Sequence, residues 1–474
     1  MMDLCISLLV AQAVMGAFDT LYHHEFKVAL PRQRTAQGEL MIHAVRAMLY
    51  AVVFMGMAWF EWGGAWVVVL IGIILIEVGL TLWDFVIEDT TRVLPASERI
   101  THTLLAINGG AAFVLLAMSV PDWFARSTSL YPVDYGWRSL FLTAGAVGVA
   151  ISGVRDAFAA WGVQRLQLNL NLDLGGHRRL LISGGTGFIG SALVAELLRA
   201  GHDITVLSRR PQAAAMQFAG KVRAVRSTRS LAVAEAFDVI INLAGAPVVG
   251  LPWSRRRKRV LASSRLSSTR DLLDFVMRAQ QRPPVWVQAS AIGFYGTYSE
   301  TPLDETASAG EGFAAELCSN WEAMTTELES LSVRCVILRF GLVFGRSGGS
   351  LPMMLLSFRL GAGAILGNGD QRLGWIHLED LLRLIALVIR EASMQGNFNA
   401  VAPDSPSYRE FAQLAGHLLS RPVWLHIPAA LLRRVLGEMA SLFVDGPCIV
   451  PRRLQTLAFE YRFPHLREAL MDLT

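Results

Sequence analysis

Five apolar stretches precede residue 162: Leu4–Tyr22, Leu40–Phe60, Ala65–Ile87, Thr103–Val120 and Leu140 to about Trp161. Each has the length of the roughly 17–25 residues that carry a helix across a hydrocarbon core. The first carries Asp3 where a secretory signal would be basic, has no convincing cleavage site and is followed by further spans. Residues 1–165 are therefore expected to remain as an all-α transmembrane helical bundle of about five spans. Composition agrees, since 53% hydrophobic and 17% charged residues over 474 positions is apolar for a fully soluble protein.

Charge placement predicts the topology. Lys27, Arg32 and Arg34 follow the first span, Arg92 and Arg99 the third, and Arg155 and Arg165 flank the end of the fifth, whereas the turn 61–64 carries no cation and the loop 121–139 only Arg126 and Arg138. The positive-inside rule then places the N-terminus outside a cytoplasmic (inner) membrane and everything after span five in the cytoplasm.

In that orientation polar pairs gather at the cytoplasmic ends of four spans: Asp19 with His23, Glu39 with His43, Asp84 with Glu88, and Glu98 with His102. Each pair is spaced i, i+4 and shares a helix face. Carboxylates and imidazoles from four bundled helices are a ligand set for a transition metal, although the spacing differs from the Glu-x-x-His of ferritin-like proteins. The competing expectation is interfacial caps and ion pairs at helix ends. His24, Glu25 and the deeper Glu77 lie nearby.

Residues 166–177 read as a linker, a short strand or an extended tether, with apolar and polar residues alternating up to Gly175-Gly176. From Arg178 the pattern becomes strand (Leu180–Ser183), glycine turn (Gly184-Gly-Thr186-Gly187-Phe188-Ile189-Gly190), helix (Ala192–Ala200) and strand (Ile204–Leu207). Bare backbone at Gly184 and Gly187 suits close approach to a pyrophosphate, and Gly190 suits tight packing of helix on strand. The second strand ends in Ser208-Arg209-Arg210, where an acidic residue would bind a ribose hydroxyl. Arginine complements a 2′-phosphate instead, so NADP(H) is expected over NAD(H). Further apolar strands at 238–245, 285–290 and 333–341 suit a parallel sheet buried on both faces. The fold class expected is α/β, a Rossmann-like doubly wound sheet with a small C-terminal substrate subdomain.

At this point the chain resembles the NAD(P)-dependent epimerase/dehydratase branch of the extended short-chain dehydrogenase/reductase superfamily. The resemblance rests on the 184–190 turn, Asn242-Leu243-Ala244-Gly245, the block 290–296, Leu338–Gly345 and Trp375–Asp380. A narrower resemblance, to the YfcH-like subgroup, rests on Trp253-x-x-x-Arg257-Lys258, Ser264-Arg265, Gly348-Gly-x-Leu351, Arg359–Gly363 and Gly437-Glu-Met439, and covers residues 178–474. It implies cofactor contacts from Gly184, Thr186, Gly187, Phe188, Ile189, Gly190, Ser208, Arg209, Leu243, Ala244 and Gly245.

The superfamily's reductases and epimerases commonly use a Ser, a Tyr and a Lys four residues beyond, the Lys lowering the phenol pKa. The corresponding helix here reads Gly312-Phe313 through Cys318 to Trp321-Glu322, without that Tyr or Lys. Ser290 and Tyr295 remain as catalytic candidates. Cys318 stands near the vacated position, where a packing thiol is commoner than a reactive one. His377 and Asp380 resemble a substrate-domain motif with a default role in folding.

Cys5, Cys318, Cys335 and Cys448 are too scattered for a disulfide framework. The basic run 255–259 lacks interleaved aromatics, so a solvated helix face is expected and nucleic acid is not. The functional expectation is a membrane-anchored NADP(H)-binding reductase or epimerase acting on a small, lipid-soluble substrate. A non-catalytic cofactor-binding scaffold and a fused membrane metalloenzyme are the alternatives. Superfamily analogy adds a homodimer.

Overall fold

The computed structural model describes residues 1–20, 22, 37–91, 96–166, 168–250, 252–299, 301–346 and 348–474. They form two compact units, residues 1–167 with 216–221, and residues 168–215 with 222–474.

The first unit is helical: α1 (Met2–Phe18), α2 (Gln37–Trp59), α3 (Trp66–Thr91), α4 (Ala96–Ala117), the short α5 (Val120–Phe124) and α6 (Trp137–Leu166). Among the described residues four helices are long and apolar enough to cross a membrane, over Gly38–Trp59, Trp66–Ile87, Ser97–Ala117 and Trp137–Trp161. The expected first span is shorter than read, because α1 ends at Phe18 in a π-type turn. The fourth begins earlier than Thr103, at Ala96, since the polar residues before Thr103 extend the helix rather than cap it.

Close packing of α2 on α6 depends on a small residue. A Cβ on Gly153 would lie 3.0 Å from both the Ala44 carbonyl and the Ala47 Cβ. Trp59 Nε1 donates to Thr143 Oγ1 at 2.8 Å across the same helix pair. The two loops at the opposite end from the polar pairs join as an antiparallel ribbon, β1 (Phe60–Trp62) with β2 (Leu130–Pro132). Arg126 pairs there with Glu61 at 2.5 Å and Arg138 with Asp3 at 3.1 Å. No apolar alternation long enough to announce these three-residue strands exists in the sequence.

After the helices, residues 168–177 join no strand ladder and bend at Gly175-Gly176. The alternation noted in the sequence is real, because Leu172 and Leu174 are buried while Asp173 faces outward and pairs with Arg390. Leu170 N donates to Glu196, so this segment packs as part of the second unit.

The second unit opens with β3 (Arg179–Ser183), α7 (Phe188–Arg199), β4 (Asp203–Leu207), α8 (Pro211–Gln217), β5 (Arg223–Val225), β6 (Val239–Asn242), α9 (Arg255–Arg278), β7 (Val285–Ala291), α10 (Phe313–Ala323), α11 (Glu327–Ser330) and β8 (Arg334–Phe340). It continues through β9 (Leu342–Gly345), β10 (Gly348–Gly349), α12 (Leu351–Arg359), β11 (Gly363–Leu366), β12 (Trp375–His377), α13 (Leu378–Arg390), β13 (Gly396–Ala400), α14 (Tyr408–Leu418) and β14 (Val423–Ile427). Seven strands form one parallel sheet in the order β13-β8-β7-β6-β3-β4-β5. β3, β6 and β7 are buried almost throughout, the pattern of a sheet covered on both faces. The small sheets β10-β9-β12 and β11-β14 build the C-terminal subdomain around Phe344, Phe358, Trp375 and Phe411.

Candidate functional site

The winding of the seven-stranded sheet reverses between β3 and β6, so the loops at their carboxyl ends lie side by side, where open α/β sheets bind ligands. Residues 184–187 leave β3 in a tight turn. Gly184 has φ +71°, and Gly187 N donates to the Gly184 carbonyl at 3.0 Å. A Cβ on Gly184 would lie 2.5 Å from the Leu243 carbonyl oxygen, and one on Gly190 would lie 2.2 Å from that of Gly184. Both positions need bare backbone. The turn delivers the N-terminus of α7, with its unpaired N–H groups and positive dipole end, to the switch point.

Thr186 and Gly187 are exposed at the rim of this turn and Ile189 is half-buried. Phe188 packs its ring against the β9–β10 hairpin, where a Cβ on Gly345, Gly348 or Gly349 would come within 2.8 Å of it. Beyond β4, Ser208 N donates to the Val225 carbonyl at 2.9 Å, and Ser208 Oγ accepts from Arg210 N at 3.2 Å. Arg209 is exposed and makes no ion pair among the described residues. On the β6 side, Leu243 N donates to the Ser183 carbonyl at 3.1 Å. Ala244 is half-buried, and Gly245 lies against the Arg265 guanidinium, 3.0 Å from where its Cβ would be. Thus the residues singled out in three separate stretches of sequence meet around one crevice.

The two catalytic candidates are placed differently. Ser290 and Tyr295 are each 3% exposed and belong to one buried network. Ser290 Oγ donates to Glu322 Oε1 at 2.6 Å, and Arg339 grips the same carboxylate through Nε at 2.9 Å and Nη2 at 2.8 Å. Arg339 Nη1 donates to the Tyr295 hydroxyl at 2.9 Å, and that hydroxyl donates to Asn399 Oδ1 at 2.7 Å. The guanidinium also stacks over Phe294, 3.5 Å from its centroid. Burial holds the Tyr295 phenol above its ordinary pKa despite the neighbouring guanidinium, opposite to the lowering that a proton-shuttling tyrosine needs. The Tyr295 hydroxyl thus ties the segment after β7 to Arg339 of β8 and Asn399 of β13.

Glu322 and Arg339 were not singled out from the sequence, though the second of two arginines in the apolar strand 333–341, Arg339, was the available signal. Glu322 stands four residues after Cys318 on α10. Burial first, and Glu322 second, push the Cys318 thiol up to about 11, which makes it a packing thiol rather than a nucleophile at neutral pH. A second buried polar cluster links β3, β6 and β7: Ser183 Oγ donates to Asn242 Oδ1, and Asn242 Nδ2 donates to Thr269 and Gln288. The Asn242 motif is thus structural at its first residue. His377 caps α13, its Nδ1 accepting from Glu379 N at 3.1 Å, and Asp380 accepts from the backbone of Arg462 and Phe463.

Among the described residues the polar helix ends pair between helices. His43 of α2 lies 3.1 Å from Asp84 of α3, and His102 of α4 lies 3.1 Å from Asp19 of α1. Arg46 joins the first pair, 2.6 Å from Asp84 and 3.3 Å from Glu77. Glu39 and Glu98 are buried. His23 and the side chain of Glu88 lie outside the described residues. Among the described residues no group of three or more His, Cys, Asp or Glu side chains is disposed to hold a metal ion.

A doubly wound parallel sheet, a glycine turn at its switch point and a small C-terminal subdomain define the class of Rossmann-fold α/β proteins. Residues 180–400 match the NAD dependent epimerase/dehydratase family, and residues 427–473 match a domain of unknown function, DUF1731. The chain is 34% identical over 324 residues to the chloroplastic epimerase family protein SDR39U1 homolog of Arabidopsis thaliana, covering 67% of this chain and 92% of that one. It is 33% identical to the epimerase family protein YfhF of Bacillus subtilis, over 62% of this chain and 97% of that one. The crystal structure of human epimerase family protein SDR39U1, isoform 2, with NADPH superposes with a TM-score of 0.57 at 32% identity, covering 62% of this chain and 98% of that one. UDP-glucose 4-epimerase of Thermotoga maritima shares the fold, with a TM-score of 0.52 at 18% identity, over 62% of this chain and 97% of that one. This chain belongs to the NAD dependent epimerase/dehydratase family of extended short-chain dehydrogenases/reductases.

Proposed function

We propose that the chain is a membrane-anchored, NADP(H)-binding enzyme of the reductase or epimerase type, acting on a lipid-soluble small molecule. Residues 1–165 are its anchor and residues 178–474 its cofactor-binding part, of the YfcH-like kind. The observation that carries the cofactor is the exposed Arg209 at the end of β4, without an ion pair among the described residues, beside a turn where Gly184 and Gly190 leave no room for a Cβ. Gly184, Gly187 and the α7 N-terminus would hold a pyrophosphate, and Arg209 with Ser208 a 2′-phosphate. A bound NADPH supplies hydride; this chain supplies the cradle. The NADPH in the human relative's structure supports the same reading.

Membrane residence is supported by side chains turned outward from the bundle. Leu75, Ile107 and Phe158 are 66%, 65% and 65% exposed on three different helices, an outward apolar surface that water would not favour. A bilayer would also be the source of an apolar substrate.

Titrating the full-length protein with NADPH and NADH, read by nicotinamide fluorescence, tests the proposal. NADPH should bind in the micromolar range and NADH about tenfold or more weaker, with Arg209→Glu reversing the order. Absence of NADPH binding at micromolar concentrations would sink it. A second reading, a non-catalytic NADP(H)-binding scaffold, is favoured by one observation: the Ser290 and Tyr295 hydroxyls are both committed to Glu322, Arg339 and Asn399. It predicts binding without hydride exchange from bound NADPH, and measured exchange removes it.

A further inference from the structure

The N-terminal bundle surrounds a cavity of about 890 Å³ walled by α1, α2, α3, α4 and α6, within the roughly 300–1,000 Å³ typical of small-molecule sites. Of the five glycines that line it, Gly16 of α1, Gly110 of α4 and Gly148 of α6 are open, and a Cβ built on any of these three would meet no atom within 4 Å. At Gly153 the missing side chain lets two helices touch; at these three it leaves room instead. Helices free to pack to ordinary density would close such a space, so small residues on three separate walls mark it as a site with an occupant.

The chemistry of the occupant follows from the polar end of the cavity. Asp19, Glu77, Asp84 and Asp156 line it with Arg46 and Arg155, four carboxylates against two guanidiniums among the described lining residues. Both arginines are already engaged, Arg46 with Asp84 and Glu77, and Arg155 with Asp156 at 2.8 Å. With the carboxylates matched by these arginines and by His43 and His102, which pair with Asp84 and Asp19, the site offers an anionic head no guanidinium that is not already neutralised, and repulsion from the carboxylates is weakly screened at low dielectric. An uncharged head would instead share hydroxyl and imidazole groups of Tyr50, Thr81, His43 and His102, which line the same space and already hydrogen-bond to Gln12, Glu77, Asp84 and Asp19. The middle of the bundle, at Gly110, Phe113, Gly148 and Val149, offers only an apolar path for a tail.

We infer that this cavity binds an uncharged lipid drawn from the bilayer, its carbonyl- or hydroxyl-bearing head at the Arg46–Asp84 end and its tail along Gly110 and Gly148. The inference rests on the membrane reading and deepens it by naming the class of lipid-soluble molecule.

The test uses full-length protein in detergent, decylubiquinone as an uncharged probe and decanoate as its anionic counterpart, with adducts read by native mass spectrometry. Decylubiquinone should give a saturable one-to-one adduct. Binding should weaken about tenfold or more in Gly110→Phe and in Gly148→Phe, which fill the tail path, with NADPH binding and the thermal midpoint retained. Decanoate binding as tightly as decylubiquinone overturns the inference without need of any variant. So does undiminished quinone binding in a folded Gly148→Phe protein. Release of the chain from membranes by alkaline carbonate is a separate readout and counts against the anchor, not against the cavity's preference for an uncharged head.

Discussion

At the scale of single residues, the buried Glu322–Arg339 pair explains how this chain accommodates a helix without the expected Tyr and Lys. Position 322, four residues beyond Cys318, carries an acid that accepts from Ser290 and holds an arginine from β8, which in turn donates to Tyr295. Both partners are nearly sealed from solvent, so removing one leaves an uncompensated charge. Glu322→Gln should destabilise the protein by about 3–5 kcal/mol, whereas Glu322→Leu combined with Arg339→Met should recover most of that loss. Chemical unfolding of the detergent-solubilised variants checks this, and a single-mutant cost no larger than that of a surface change would contradict the account. The pair was hard to foresee because its members are 17 residues apart, on a helix and a strand whose other residues read as ordinary core.

At the scale of elements, the glycine turn shows what sequence can specify locally. Its strand falls where the pattern places it, β3 at Arg179–Ser183, and its helix begins earlier than the expected Ala192, at Phe188, because turn chemistry and apolar runs act over a few residues and the glycine turn itself winds into the first helical turn. The two outer strands β5 and β13 were not legible. Arg-Ala-Val and Gly-Asn-Phe-Asn-Ala lack an apolar run, and only pairing with β4 and β8 makes them strands. The turn also separates two kinds of glycine. A Cβ at Gly190 would strike backbone at 2.2 Å, while one at Gly187, which has an ordinary φ of −78°, would approach no closer than 3.3 Å. Gly190→Ala should therefore lower both the thermal midpoint and NADPH affinity, and Gly187→Ala should weaken NADPH binding with the midpoint nearly unchanged. Equal midpoints for the two variants would argue against this difference in packing.

At the scale of the whole molecule, one family of apolar helices and one family of parallel strands coexist because each satisfies its own backbone. Helices do so within themselves and strands do so across a buried sheet. If the outward Leu75, Ile107 and Phe158 face lipid, full-length protein expressed in cells should sediment with membranes and resist alkaline carbonate, and a fragment beginning at Leu168 should not sediment. Recovery of the full-length chain in the carbonate supernatant would remove the anchor from the proposed function.

The sequence by itself determined the helical N-terminal part, the doubly wound sheet, the glycine turn and the stretches that surround its crevice, since these follow from periodicity and turn chemistry within short windows. Only the tertiary structure decided which polar groups meet. It paired His43 with Asp84 and His102 with Asp19, brought Arg46 onto Asp84 and Glu77, tied Ser290 and Tyr295 to Glu322 and Arg339, and opened a cavity lined by glycines of three helices. The physical reason is range. A backbone conformation answers to its neighbours in sequence, whereas the partner of a buried charge is set by packing between elements that lie tens of residues apart.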